Sequence, residues 1–261
     1  LVHVWGVMAT LITRLSLTWC GSKIPLVSSL ISDATGLSAA GIYRRVLFCL
    51  ALRCSDLIYA NSLAGVNAYH QHTNPRIEVI YNGLNIERFN ADSMDYNRLA
   101  KASGLRCRYF VIKVAAARWH KDYDLFLDVA RLVTSVRDDV AFIGVGSGPD
   151  LERLTLTPQC IGNNRIKMLG SREDVDCLVG SAAIGLLFPR HGAHNEGISN
   201  SVMEYMAAGL PVITTDEFGG SMELLDGVGG VVLSPNADAI AAQILTWLDD
   251  PRAMTQIGAA G

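Results

Sequence analysis

No Cys-x-x-Cys pair, no apolar run long enough to cross a bilayer and no surplus of basic charge occur in this sequence. Each absence closes a class. The six cysteines (Cys20, Cys49, Cys54, Cys107, Cys160 and Cys177) lack metal-ligand spacing. They therefore read as reduced, mostly buried thiols of a cytosolic protein, not as a zinc ribbon or a disulfide scaffold. A formal net charge of −3 gives no reason to expect nucleic acid. Arg14 interrupts the most apolar helix candidate, near the N-terminus. The first residues already read as a strand, not as a signal peptide. There is no initiator Met, and Leu1 reads as the middle of a longer chain. With 50% hydrophobic residues over 261 positions, one large or two modest α/β domains can be buried.

What is present centres on HNEGISNSVMEYMAAGLPVITTD, residues 194–216. It reads as a loop ending at Glu196-Gly197, a helix from about Asn200 to Ala208, Gly209 as its stop, and Pro211 opening the strand Val212–Thr214. Val202, Met203, Met206 and Ala207 supply an apolar face that can pack on a sheet. Ser199, Asn200 and Ser201 fall where free amides point out of a helix N-terminus, a ready anion site. Seven residues separate Glu196 from Glu204. Glu196 reads as a ligand carboxylate or as a solvated loop acid. Glu204 also has two readings. Ser201-x-x-Glu204 is a capping box, which would make Glu204 structural; with Ser199 as the cap, Glu204 lies too deep to reach back.

Around this stretch, strands and helices alternate, which predicts βαβ units and parallel sheets. Four strands, near Leu1–Trp5, Ile24–Ser29, Leu57–Ala60 and Ile77–Ile80, precede the turn Asn82-Gly83. The helix after the first strand, Val7–Cys20, is expected to carry Leu11, Leu15 and Trp19 on one face. Residues 89–108 are polar, lack apolar periodicity and read as a linker. Six more strands follow, near Phe110–Ala116, Val140–Val145, Arg165–Leu169, Ala183–Phe188, Val212–Thr214 and Gly230–Leu233. They make a complete Rossmann-like domain over residues 109–261.

Other candidate groups sit at strand ends. Arg118 and Lys121 follow the first strand of the second domain, where parallel sheets bind ligands. They suit a diphosphate, or else are two solvated loop cations. Gly144-x-Gly146-x-Gly148-Pro149 has the wrong spacing for a dinucleotide fingerprint and reads as a tight loop without NAD. Gly219-Gly220-x-x-Glu223 offers close backbone approach, with Glu223 either at a ligand or offsetting a helix dipole. His191 and His194 lack a third ligand and read as loop residues.

The segment Glu196-Gly197-x-Ser199-Asn200-x-x-x-Glu204-x-Met206-Ala207-x-Gly209-x-Pro211-Val212 resembles the signature of the retaining glycosyltransferases of family 4. VAAARWHKDYDLFL resembles that family's Arg…Lys element, with a shorter loop, and VIYNGLNIERF its hinge segment. The resemblance implies an α/β fold of GT-B type, two Rossmann-like domains with parallel sheets, the first only partly present. Residues 1–88 would be the C-terminal half of the acceptor-side domain, residues 89–108 the linker, and 109–261 the donor-nucleotide domain. It further implies that Glu204 holds the ribose and Glu196 faces the transferred sugar. Gly197 and the amides of Ser199 and Asn200 would carry the diphosphate, which Arg118 and Lys121 neutralise. Gly146 and Gly148 would lie beside the base, with Gly219, Gly220 and Glu223 near the donor. On the acceptor side, His3 matches a frequent cleft histidine. VSSLISDATG lacks the histidine many members carry there and offers Asp33.

The implied reaction moves a sugar from a nucleoside-diphosphate donor to an acceptor hydroxyl, with retention, in glycan, polysaccharide or lipopolysaccharide biosynthesis. Implied partners are the nucleotide-sugar and a glycan or lipid-linked acceptor, with no nucleic acid, no cofactor and no metal. A peripheral membrane contact is a further expectation, as is inactivity of this stretch alone. The alternatives are a sugar-nucleotide binding module and a sugar-nucleotide epimerase.

Overall fold

The computed structural model describes residues 1–29, 42–70, 77–89, 97–190, 197–215, 219–225 and 227–261. The chain divides into two compact units. The first gathers Leu1–Gly83, His191–Ile198 and Phe218–Glu223; the second gathers Leu84–Arg190, Ser199–Glu217 and Leu224–Gly261.

The first unit holds a parallel sheet in the order β1-β2-β3-β4, with β1 Val2–Trp5, β2 Leu26–Ser29, β3 Leu57–Ala60 and β4 Ile77–Val79. All four residues of β2 are buried, as in a strand covered on both faces. Among the described residues, Phe48, Leu52, Ile58 and Ala60 form its buried apolar cluster. Beside it runs a buried hydroxyl chain, in which Thr10 Oγ1 lies 3.1 Å from Ser28 Oγ and Ser28 Oγ lies 2.7 Å from Ser55 Oγ. On the helix Val7–Trp19, the face that carries Leu11, Leu15 and Trp19 is largely exposed. Thr10 is buried and Leu11 half-buried, but Leu15 and Trp19 are 71% and 93% exposed. The cause is Arg14, whose Nε donates to the Cys54 carbonyl at 2.6 Å while Nη2 meets Asp56 at 2.6 Å. Those bonds fix the helix rotation with Leu15 and Trp19 outward.

The second unit is a six-stranded parallel sheet in the order β10-β9-β8-β5-β6-β7. Its strands are β5 Tyr109–Val114, β6 Val140–Val145, β7 Ile166–Met168, β8 Ile184–Leu187, β9 Val212–Thr214 and β10 Gly230–Val232. Alternation along β5 sends Tyr109 and Val111 into a core with Phe126, Phe142, Ile244 and Trp247. Phe110 and Ile112 enter a second core with Leu178, Val202 and Tyr205. With both faces covered, this is a doubly wound sheet, and its order reverses between β5 and β8. Such a reversal opens a crevice at the strands' carboxyl ends.

Of the stretch read as a linker, the described residues 89 and 97–108 lie on the second unit. A 3-10 turn, Ile86–Phe89, and a helix, Arg98–Ser103, ended by left-handed Gly104, bury Phe89 and Leu99 in the second core. Arg98 also pairs with Asp174 at 2.6 Å. Three anchor points over so short a stretch hide any periodicity. All six cysteines are free, but Cys20 is exposed and the others only half-buried, because most sit on element flanks and not in cores. Among the described residues no helix is long and apolar enough to cross a membrane.

Candidate functional site

In the second unit, the chain leaving β5 forms a short 3-10 turn, Trp119–Lys121, with exposed Arg118 at its start. Two neighbouring loops brace it. The Ala117 amide donates to the Ser147 carbonyl and the Asp150 amide to the Ala117 carbonyl, both at 3.0 Å. Gly146 and Gly148 make this close approach possible, since a Cβ at either would overlap the Ala115 or Ala117 carbonyl. From the end of β8, the Arg190 amide donates to the His120 carbonyl at 2.9 Å. The turn bearing Arg118 and Lys121 therefore lies at the sheet's point of reversal.

Asp122 closes the turn with φ of 38°, the left-handed region that side chains avoid. Its carboxylate accepts from the Leu125 amide, capping the helix Tyr123–Val136, and meets Arg190 Nη2 at 2.9 Å. Beneath it lies a group that the sequence reading passed over. Lys113, wholly buried in β5, donates from Nζ to the carbonyls of Lys121 and Asp122. Its Nζ stands 4.6 Å from the Tyr123 ring centroid and 4.9 Å from that of Phe188. Burial pushes its ammonium well below the ordinary lysine range, against a smaller upward pull from Asp122.

The helix Asn200–Ala207 starts at Ser199, whose side chain makes no capping bond; no acid lies in its first turn. Ser199 Oγ instead lies 3.0 Å from Ser201 Oγ. Ser199 as cap removes the capping-box reading of Glu204. Glu204 is half-buried, and burial raises its carboxyl above the ordinary range, against a downward pull from Arg88. Arg88 Nη1 stands 3.7 Å from Glu204 Oε1, and its Nε 3.4 Å from Asp176. Tyr205, also unforeseen, is fully buried and accepts the Val114 amide at 2.7 Å, pinning this helix to β5.

Two Asp-x-Asp triplets, Asp122-Tyr123-Asp124 and Asp174-Val175-Asp176, occur in the second unit. Arginines engage all four acids: Arg190 and Arg153 the first pair, Arg172, Arg98 and Arg88 the second. Among the described residues no group of three His, Cys, Asp or Glu is gathered to hold a metal.

The remaining candidates fall in the first unit. Gly197 packs on the Asn61 side chain, and Gly220 on Gly197, Ile198 and Ser62, each too closely for a Cβ. Gly219 is buried beside them. Glu223 is committed locally: its carboxylate accepts from the amides of Leu63 at 2.9 Å and Ala64 at 2.6 Å. It caps the helix Leu63–His70 while also standing in the first turn of its own helix, Gly220–Leu225, as dipole compensation expects. His3 Nε2 lies 2.6 Å from Ser29 Oγ. Glu196, His191, His194 and Asp33 lie outside the described residues.

The family model described as glycosyl transferases group 1 matches residues 109–250, more than half of the chain. An uncharacterized glycosyltransferase of Methanocaldococcus jannaschii is 23% identical over 197 residues, covering 75% of this chain and 50% of that protein. The GDP-mannose-dependent monoacylated alpha-(1-6)-phosphatidylinositol monomannoside mannosyltransferase of Corynebacterium glutamicum is 27% identical over 202 residues, covering 75% and 52%. The chain thus spans about half the length of the curated relatives it matches. Among solved structures, Anabaena HepE in complex with UDP and glucose superposes with a TM-score of 0.83 at 22% identity, covering 99% of this chain and 71% of that one. That likeness bears on the fold, which is α/β of GT-B type.

Proposed function

We propose, from the premise that this chain belongs to the glycosyl transferases group 1, that it carries the donor site of a retaining glycosyltransferase. The donor is a nucleoside-diphosphate sugar and the acceptor a hydroxyl of a glycan or lipid-linked sugar. The observation that supports this reading is that one unit holds both the turn with Arg118 and Lys121 and a helix start at Ser199 whose own side chain makes no capping bond. Both lie on connections that leave β5 and β8, the strands flanking the sheet's reversal. In the reaction, the bond from the anomeric carbon to the diphosphate oxygen breaks, one to the acceptor oxygen forms on the same face, and the acceptor's hydroxyl proton passes to the departing diphosphate. Negative charge then grows on the departing diphosphate. Arg118, Lys121 and the amides at the helix start stabilise that charge where it develops. Glu204, deep enough to be desolvated yet free of capping-box duty, accepts the ribose hydroxyls, with Arg88 opposing the upward push of burial on its carboxyl. Glu196, three positions before Ser199 in the sequence, orients the sugar. Those cations and amides take the part a divalent ion plays elsewhere.

The test is direct binding of UDP and GDP against uridine and guanosine. Arg118→Ala is expected to weaken the preferred diphosphate by about 1.5–3 kcal/mol and the matching nucleoside hardly at all. An equal loss for both ligands would mean that only the strand end had been disturbed.

A further inference from the structure

We infer that Lys113 is a positioning residue for the diphosphate, acting through the turn that carries Arg118 and Lys121; the inference rests on the donor-site reading above. Along β5, residues 109, 111 and 113 point to one face of the sheet. That face is apolar, lined by Phe126, Phe142 and Ile244, and a lysine there has no ordinary structural excuse. Its tip is boxed by the rings of Tyr123 and Phe188. Its acceptors among the described residues are two backbone carbonyls, those of Lys121 and Asp122. These carbonyls flank the peptide at which the chain enters the left-handed kink of Asp122.

A residue held in that region persists only where its surroundings over-determine it. Here the determinants can be named. Arg190 and the Leu125 amide fix the Asp122 side chain, and Lys113 fixes the backbone on either side. The kink turns the chain from the 3-10 turn into the helix Tyr123–Val136, so it sets where the turn's cations stand relative to β5. Ammonium and neutral amine both keep at least two N–H groups, so the clamp on two carbonyls survives loss of the proton. The lysine thus reaches the ligand through backbone geometry and touches none of it.

Lys113→Met keeps length and apolar bulk but removes both donors. Calorimetric titration of the 261-residue chain with UDP, GDP, uridine and guanosine tests the inference. The expected result is a loss of about tenfold or more for the preferred diphosphate, with the nucleoside changed by less than about twofold. Unchanged diphosphate affinity, or the same factor lost for both ligands, overturns it. Lys113→Gln, shorter but still a donor, is expected to lose less than the Met variant; it also carries the comparison with the parent should Lys113→Met fail to fold. A parent chain with no preference for diphosphate over nucleoside would refute the donor site itself and this inference with it. A parent that shows the preference while the variants keep it refutes the role of Lys113 alone.

Discussion

Ser62 and Ser199 each precede an eight-residue helix, one in each unit, and the two helix starts are filled differently. At the first, Ser62 Oγ accepts the Gly65 amide, and Glu223 takes those of Leu63 and Ala64. The chain has supplied its own anion. At the second, the Ser199 side chain makes no capping bond and no acid stands in the first turn. A helix start left without its own carboxylate can take an external anion; one plugged by a glutamate serves stability. The contrast extends to the cores. The second unit covers both faces of its sheet with large apolar clusters. The first has four buried apolar residues in its cluster, a hydroxyl chain, and a stripe of exposed Met8, Ile12, Leu15 and Trp19 along one helix.

The largest expected effect comes from the cores. Phe142→Ala, at a fully buried site in the second unit, should cost about 3–5 kcal/mol. Trp19→Ala, at an exposed site in the first, should stay within about 0.5 kcal/mol. Urea titrations followed by circular dichroism measure both. A Trp19→Ala cost comparable to that of Phe142→Ala would show that the outer face of the helix Val7–Trp19 is covered in solution, and the comparison between units would break there.

The two glutamates sharpen the comparison at smaller scale. Glu204→Gln keeps size but loses charge-assisted acceptance, so UDP or GDP binding should weaken by about 1.5–3 kcal/mol while the melting temperature holds. Glu223→Ala strips two helix amides of their acceptor and should cost the first unit about 1 kcal/mol. Thermal melts and ligand titrations on both variants separate the roles. Should Glu223→Ala spare stability and Glu204→Gln spare binding, the assignments would have to be exchanged.

Strand positions were legible because their signal is local. Periodicity and turn residues placed Leu57–Ala60, Val140–Val145 and Val212–Thr214 to the residue, and the α/β class followed. The helices Arg98–Ser103 and Pro158–Gly162 escaped, being too short to show a 3.6-residue period. Arg118, Lys121, Ser199 and Glu204 were singled out as candidates by their places after a strand and in or before a helix, and given roles by the family resemblance. Their supports were not, because each is a long-range pairing: Arg88 meets Glu204 116 positions away, and Tyr205 meets Val114 across 91. Lys113 did leave a trace. It is the one charged residue in YFVIKV, a run otherwise suited to a strand buried on both faces. Glu223 looked like part of a glycine-rich ligand loop; that it caps a helix 160 positions earlier could only come from the fold.

The smallest effect expected is on acid stability, and it again separates the units. Asp174, in the second, is held down to about 2, first by its hydrogen bonds with Arg172 and further by Arg98. Asp56, in the first, is lowered mainly by the Leu26 amide and then by Arg14. Both are carboxylates with a folded pKa below the unfolded value of about 3.9. Each therefore contributes stability that is fully present above the unfolded pKa and is lost as pH falls through the folded one. For Asp174 that window runs from about pH 4 down to about 2. Asp174 is the better sheltered, at 18% side-chain exposure against 52% for Asp56, so solvent screening discounts Asp56 more heavily. Asp174→Asn should consequently flatten the fall in second-unit stability between pH 4 and 2, and Asp56→Asn should alter the first unit less. Urea midpoints at pH 5 and pH 2.5, in low salt, read the difference. An Asp174→Asn chain that loses as much between those two points as the parent would mean that the Arg172–Asp174–Arg98 cluster is as solvated as a surface pair, and that the acid resistance of the second unit comes from its apolar cores alone.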